Sequence, residues 1–140
     1  MGSAHSLAWS SVRVSLSLHN NELVSIVDDD SLVRAAASSL VRSFGWEARV
    51  FASGAELLAS DVLERTRCLV CDVQMPDMDG IELLDTLERK GMRIPTIFIT
   101  AFATVRIRER VQAGAALCMI EKPIEALELE TWIGRALGYG

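Results

Sequence analysis

Short continuous apolar runs alternate along the chain with stretches whose apolar residues recur every three or four positions. Leu23-Val-Ser-Ile-Val27, Glu47 to Phe51, Cys68-Leu-Val-Cys71, Thr96-Ile-Phe-Ile-Thr100 and Leu117-Cys-Met-Ile120 have strand length and predict five β-strands. Between the first two runs, Val33, Ala36, Ala37, Leu40, Val41 and Phe44 share one helical face, and Gly45 closes that helix. Ser53 followed by Glu56 predicts a capping box that opens a short helix through Leu58. Ile81, Leu84 and Leu87 predict a third helix stopped near Gly91, and Val105, Arg108 and Val111 a fourth ended by Gly114. Ile124, Leu127, Leu129, Trp132, Ile133 and Leu137 predict a fifth. Apolar runs without alternation suit strands buried on both faces. Their alternation with helices predicts an α/β fold, a parallel sheet doubly wound by right-handed crossovers.

The first twenty residues break this pattern. Val12, Val14, Leu16 and Leu18 alternate with Arg13, Ser15 and Ser17, which predicts one extra short strand. No continuous apolar core marks a signal peptide, so residues 1–20 are expected to be an extension or a tag-derived segment without a functional role. Residues 21–138 are expected to form one domain. The length of 140 residues agrees with that, and 50% hydrophobic against 24% charged residues excludes a disordered chain. No apolar run approaches the length needed to span a bilayer, and a net charge of −5 leaves no chain-wide basic excess to support a nucleic-acid surface.

Cys68 and Cys71 spell C-x-x-C, a spacing found in redox and metal sites, and Cys118 makes the count odd. On a strand, residues three apart point to opposite faces, so two buried core cysteines are expected instead. The two histidines, His5 and His19, both lie in the N-terminal segment and complete no ligand set.

In a doubly wound sheet, ligands bind beyond the carboxyl ends of the strands. Strand one ends in Asp28-Asp-Asp30, strand three in Asp72, strand four in Thr100, and strand five runs into Lys122-Pro123. Clustered carboxylates repel one another unless a cation sits among them, and an all-oxygen set suits a hard ion such as Mg²⁺. A carboxylate beside such an ion can act as a nucleophile towards phosphorus, with a lysine and a hydroxyl to neutralise and orient the phosphoryl oxygens. A P-loop is absent from the sequence. Asp72-Val-Gln74 also lacks the second acid of the D-x-D motif of haloacid-dehalogenase-like phosphatases.

Val27-Asp-Asp-Asp30, Cys71-Asp-Val-Gln-Met-Pro-Asp-Met-Asp-Gly-Ile-Glu-Leu-Leu84, Ile97-Phe-Ile-Thr-Ala101 and Glu121-Lys-Pro123 occur in that order. With them the chain resembles a response-regulator receiver domain of the CheY-like superfamily over residues 22 to 138. Phe51-Ala-Ser-Gly-Ala-Glu-Leu-Leu58 and Gln112-Ala-Gly-Ala115 resemble the FixJ-like, LuxR-type subgroup. The resemblance implies a flavodoxin-like (βα)5 three-layer sandwich with strand order 2-1-3-4-5. It implies Asp72 as phosphoacceptor, Asp29 as a direct Mg²⁺ ligand, Asp28 as an acid reaching the metal through water, and the Gln74 backbone carbonyl as a further ligand. Mn²⁺ would serve as a substitute. Thr100 matches the switch hydroxyl, Lys122 the ammonium that pairs with the acceptor, and Lys122-Pro123 a cis peptide. Gly80 would allow a tight backbone before the third helix, and Gln74 and Phe102 would set phosphoryl lifetime. Met119 stands where the family usually has an aromatic residue, so the site chemistry should survive and the loop before helix four should carry the signal.

The partner implied is a sensor histidine kinase or a phosphotransfer protein, with slow self-hydrolysis and no turnover of an outside substrate. Output through a DNA-binding domain absent from this chain is the first expectation. A stand-alone phosphorelay intermediate or protein-binding switch is the alternative. No contact of this domain with nucleic acid or membrane is expected, and the location expected is the cytoplasm. Arg106, Arg108 and Arg110 on helix four face Glu125, Glu128 and Glu130 on helix five in sign, which suits a homodimer through helix 4, strand 5 and helix 5.

Overall fold

The computed structural model describes residues 22–139. The extra strand expected within Val12–Leu18 lies outside them. In chain order the elements are β1 (Leu23–Val27), α1 (Ser31–Ser43), β2 (Glu47–Phe51), α2 (Gly54–Leu58), β3 (Thr66–Asp72), α3 (Gly80–Arg89), β4 (Thr96–Thr100), α4 (Val105–Gln112), β5 (Cys118–Glu121) and α5 (Ala126–Ala136). A single 3-10 turn, Leu63–Arg65, precedes β3. All strand pairs are parallel, and the sheet runs β2-β1-β3-β4-β5, as expected.

Burial follows that order. Every residue of β1 and β4 is buried, whereas β2 and β5, at the edges, are only partly covered. Two apolar clusters form, one on each side of the sheet. Ala37 and Val41 of α1 and Leu129 and Ile133 of α5 pack with Val24, Ile26, Val70 and Ile99 on one side. Leu57 of α2, Leu83 and Leu87 of α3, and Ile107 and Val111 of α4 pack with Val27, Leu69 and Phe98 on the other. Cys68 belongs to the first cluster and Cys71 to the second, so alternation does place them on opposite faces.

Several boundaries differ from the sequence expectation, each for a local reason. β3 begins two residues early, at Thr66, which pairs with Leu23 and whose hydroxyl lies 2.7 Å from that of Ser25. A buried, satisfied polar pair extends the strand there beyond the apolar run. At α2 only half of the capping box forms: Ser53 Oγ accepts from Glu56 N at 3.1 Å, but Glu56 accepts from the Ala52 N–H instead of that of Ser53. The complete box is at α3, between Asp79 and Glu82. α4 ends at Gln112 without a left-handed glycine, whereas Gly45 and Gly91 take φ of 98° and 80° after α1 and α3. Ile124 precedes α5, which starts at Ala126 after the expected cis Lys122–Pro123 bond.

Candidate functional site

Parallel strands deliver their carboxyl ends to one edge, and the loops leaving β1, β3, β4 and β5 meet there. Asp28, immediately after β1, is wholly buried. Its Oδ1 accepts the Asp30 N–H at 2.9 Å, and Arg34 of α1 donates to its backbone carbonyl at 2.8 Å. Asp30 caps α1 by accepting the Leu32 N–H, which leaves Asp29 exposed between two fixed neighbours. Asp72, the last residue of β3, is 5% exposed, and its Oδ1 accepts the Gln74 N–H at 3.1 Å. Lys122 reaches back from the end of β5. Its Nζ lies 3.2 Å from Asp72 Oδ2 and 3.0 Å from Asp28 Oδ2. Thr100 closes β4 one residue past Ile99, the ladder partner of Asp72, and its buried hydroxyl accepts the Phe102 N–H at 3.2 Å. No hydrogen bond joins Thr100 to Asp72 directly among the described residues.

Oxygens of Asp28, Asp29 and Asp72 come within 4.8 Å of one another. The three acids and one ammonium leave a formal excess of negative charge in a largely buried site. Burial, and then the Asp28 carboxylate beside it, raise the pKa of Asp72 above its ordinary value, against the opposing pull of Lys122 and the Gln74 N–H. Burial alone would lower Lys122, but its contacts with Asp28 and Asp72 outweigh that and raise it. Asp28 Oδ2 is buried and lacks a hydrogen bond, because its approach to Nζ is an ion pair without hydrogen-bond geometry. A buried carboxylate that must share one ammonium with Asp72, with Asp29 close by, leaves negative charge that fits a hard divalent cation. The Gln74 carbonyl accepts no backbone hydrogen bond among the described residues.

The raised acid has a consequence for stability. The unfolded pKa of Asp72 is near its ordinary value of 3.8, and the folded one lies higher. The ionised folded carboxylate therefore costs stability at every pH above its folded pKa. That cost vanishes as pH falls below 3.8, where both states are protonated. Asp72→Asn is expected to raise Tm in EDTA at neutral pH, with the gain shrinking as pH is lowered through the folded pKa. Thermal melts of both proteins from about pH 3.5 to pH 8 check this; a gain independent of pH would contradict it.

The cysteines play no part in this edge. Burial pushes the thiols of Cys68 and Cys71 far up and that of Cys118 up to about 12, so none supplies a thiolate at neutral pH. Met119 is half-buried and packs against the cluster beneath α2, α3 and α4, while Phe102 is 69% exposed at the mouth of the site. Two groups that hold the site are not evident from motif spacing: Arg34, which ties down the Asp28 carbonyl, and Arg110 of α4, whose Nη2 donates to Asp79 Oδ2 at 3.0 Å. The D-x-x-E spacing of Asp79 and Glu82 is a legible capping signal; Arg110 opposite it is not.

Residues 24–133 match the family model described as response regulator receiver domain. Nodulation protein W of Bradyrhizobium diazoefficiens is 36% identical over 107 residues, which cover 76% of this chain and 47% of that protein. Response regulator protein TodT of Pseudomonas putida is 34% identical over 115 residues, covering 82% of this chain and 51% of that protein. The chain thus spans about half the length of the curated relatives it matches. Among solved structures, that titled FixJ-N shares 32% identity at a TM-score of 0.75, covering 85% of this chain and 95% of the other. A response regulator receiver protein from Burkholderia phymatum shares 36% identity at a TM-score of 0.73, covering 85% and 97%. The chain belongs to the response regulator receiver domain family, and its fold is the CheY-like doubly wound sandwich of that family.

Proposed function

We propose that this receiver domain accepts a phosphoryl group on Asp72 from a phosphohistidine and passes the change in charge to a protein surface. The observation that carries this reading is the meeting of Asp28, Asp29, Asp72 and Lys122 at one sheet edge, with the Lys122 ammonium 3.2 Å from the Asp72 carboxylate. One carboxylate oxygen of Asp72 forms the bond to phosphorus as the nitrogen–phosphorus bond of the donor breaks, and the imidazole leaves. Asp28, Asp29, Asp72 and the Gln74 carbonyl would hold Mg²⁺, or Mn²⁺ in its place. The ion supplies charge neutralisation and orientation of the phosphoryl oxygens. Lys122 supplies the remaining positive charge, and Thr100 keeps its hydroxyl proton available to a phosphoryl oxygen because it already accepts from Phe102.

Receiver domains interact with histidine kinases or phosphotransfer proteins, and signalling by partner instead of turnover follows from that. An apolar groove of about 260 Å³ beside the site, lined by Leu32, Ala36, Leu40, Pro123 and Ile124, with Leu32 80% exposed, supports docking of such a partner here. Transcriptional output is proposed from relatives named as transcriptional regulators, such as TdiR of Thauera aromatica and DctR of Rhodobacter capsulatus. Residues 21–138 are the signalling unit in this proposal, acting in the cytoplasm. Pairing of two copies through α4, β5 and α5 belongs to the same proposal. In the resting chain Arg108 and Arg110 are already engaged with Glu121 and Asp79, so the pairing requires those contacts to rearrange.

Incubation with acetyl phosphate and Mg²⁺, followed by intact-mass measurement, tests the acceptor. The wild type is expected to gain the mass of one phosphoryl group, and Asp72→Asn none. An equal gain in both proteins, or none in the wild type, would sink the assignment.

A further inference from the structure

α4 is thinly anchored to the sheet. Of its residues only Ile107 and Val111 are buried, and Val105 at its start is 73% exposed. Arginines grip it from both sides. Arg108 Nη2 donates to Glu121 Oε1 at 2.6 Å and its Nε to the Ala103 carbonyl at 3.3 Å, while Arg110 Nη2 donates to Asp79 Oδ2 at 3.0 Å. Each grip lands one residue from a group that touches Asp72. Glu121 precedes Lys122, whose ammonium meets the Asp72 carboxylate, and Asp79 precedes Gly80, which sits so close to the Asp72 carbonyl oxygen that a Cβ there would overlap it.

The grips are unequal. The side chains of Arg108 and Glu121 are 51% and 59% exposed, those of Arg110 and Asp79 only 38% and 21%. Water and salt screen the first pair more, so the second carries the larger share of the restraint. Asp79 is also held on all sides: its Oδ1 accepts from Glu82 N at 2.8 Å, and its own N–H donates to Glu82 Oε1 at 2.9 Å. The next N–H, of Gly80, donates to the Val73 carbonyl at 2.9 Å. Asp79 and Gly80 are thereby tied through Val73 to the residue next to Asp72, a short hydrogen-bonded route from the acceptor segment to Arg110.

We propose that the Arg110–Asp79 ion pair couples occupancy of Asp72 to the position of α4. The proposal rests on Asp72 being the acceptor. A phosphoryl group displaces the segment from Asp72 to Gly80, Asp79 moves with it, and Arg110 either draws α4 along or lets it go. Coupling is reciprocal, so the same pair also biases how long the phosphoryl group persists on Asp72.

The test is a double-mutant cycle on the whole chain with Arg110→Gln, Asp79→Asn and the pair together. Asparagine keeps the helix cap of α3 while removing the charge. Amide NMR shifts of residues 105–112 and phosphoryl lifetime by intact mass are read after acetyl phosphate and Mg²⁺. Each single variant is expected to change the lifetime, or the population of shifted α4, by about two- to fivefold, the range an ion pair of this exposure supports. The double variant should go no further than either single one. Arg110→Lys should retain most of the wild-type response, and Glu121→Gln should change it less than Arg110→Gln does. Additive single effects, or α4 shifts equal to wild type in both single variants, would overturn the coupling alone. A wild type that takes up no phosphoryl group would overturn both the coupling and the acceptor assignment on which it rests.

Discussion

Gly80→Ala is expected to destabilise the domain by about 2 kcal/mol or more and to slow phosphoryl uptake from acetyl phosphate. A Cβ on Gly80 would fall inside contact distance of the Asp72 carbonyl oxygen, 3.0 Å from Phe98 Cε1 and 3.1 Å from Cys71 Sγ. The oxygen belongs to backbone held in the sheet, and Phe98 and Cys71 are buried, so none of the three can swing aside. Alanine would favour the helix by about 1 kcal/mol over glycine, and the overlap has to exceed that gain. Gly134, in α5, where an added Cβ would meet nothing within 4 Å, is the control. Gly134→Ala should stabilise by about 0.5–1 kcal/mol. Urea unfolding of the three proteins measures both effects. A Gly80→Ala variant as stable as wild type would mean that the start of α3 can move away from Asp72 at little cost. The proposed coupling of Asp79 to the acceptor through Gly80 would then lose its basis.

Asp28→Asn should weaken Mg²⁺ binding by roughly 10- to 100-fold, the loss typical of disturbing the shell of a metal site. Asparagine keeps the acceptor oxygen that takes the Asp30 N–H at 2.9 Å, so the loop after β1 should hold its shape. What disappears is the charge on the buried oxygen that faces Lys122 at 3.0 Å without a hydrogen bond. In EDTA the expected sign is opposite. Asp28 is the main carboxylate raising the pKa of Asp72, and removing it relieves that repulsion, so acid titration of Asp72 should shift downward. Calorimetric titration with Mg²⁺ and NMR titration of the Asp72 carboxyl separate the two effects. Mg²⁺ affinity equal to wild type would remove Asp28 from the metal site.

Much of the fold was legible because burial leaves a simple imprint on a parallel sheet. β1, β3 and β4 are covered on both faces, and a strand so placed must be apolar at successive positions, which is what Leu23–Val27 and Thr96–Thr100 present. β2, exposed at the sheet edge, carries Glu47 and Arg49 and has a weaker signature. The start of β3 was missed because Thr66 is held by a polar pair with Ser25, which leaves no apolar mark. Strand ends were legible as a group, since the topology of a doubly wound sheet sends every carboxyl end to one edge. Chain direction alone therefore puts Asp28, Asp72, Thr100 and Lys122 at that edge. The α2 cap was only half right because a Glu three residues after a Ser can equally reach the next N–H back, as Glu56 does to Ala52.

By itself, then, the sequence determined the elements, their faces, the opposite placement of Cys68 and Cys71, and the set of acids at the sheet edge. These follow from periodicity and from chain direction, which are local properties. Only the tertiary structure decided that Asp28 Oδ2 would be buried short of a hydrogen bond, that Arg34 would hold the Asp28 carbonyl, and that Arg110 would meet Asp79 across 31 residues. Such pairings depend on how far each helix is rotated and shifted over the sheet. Packing of the apolar faces sets that position, and no spacing between residues along the chain encodes it.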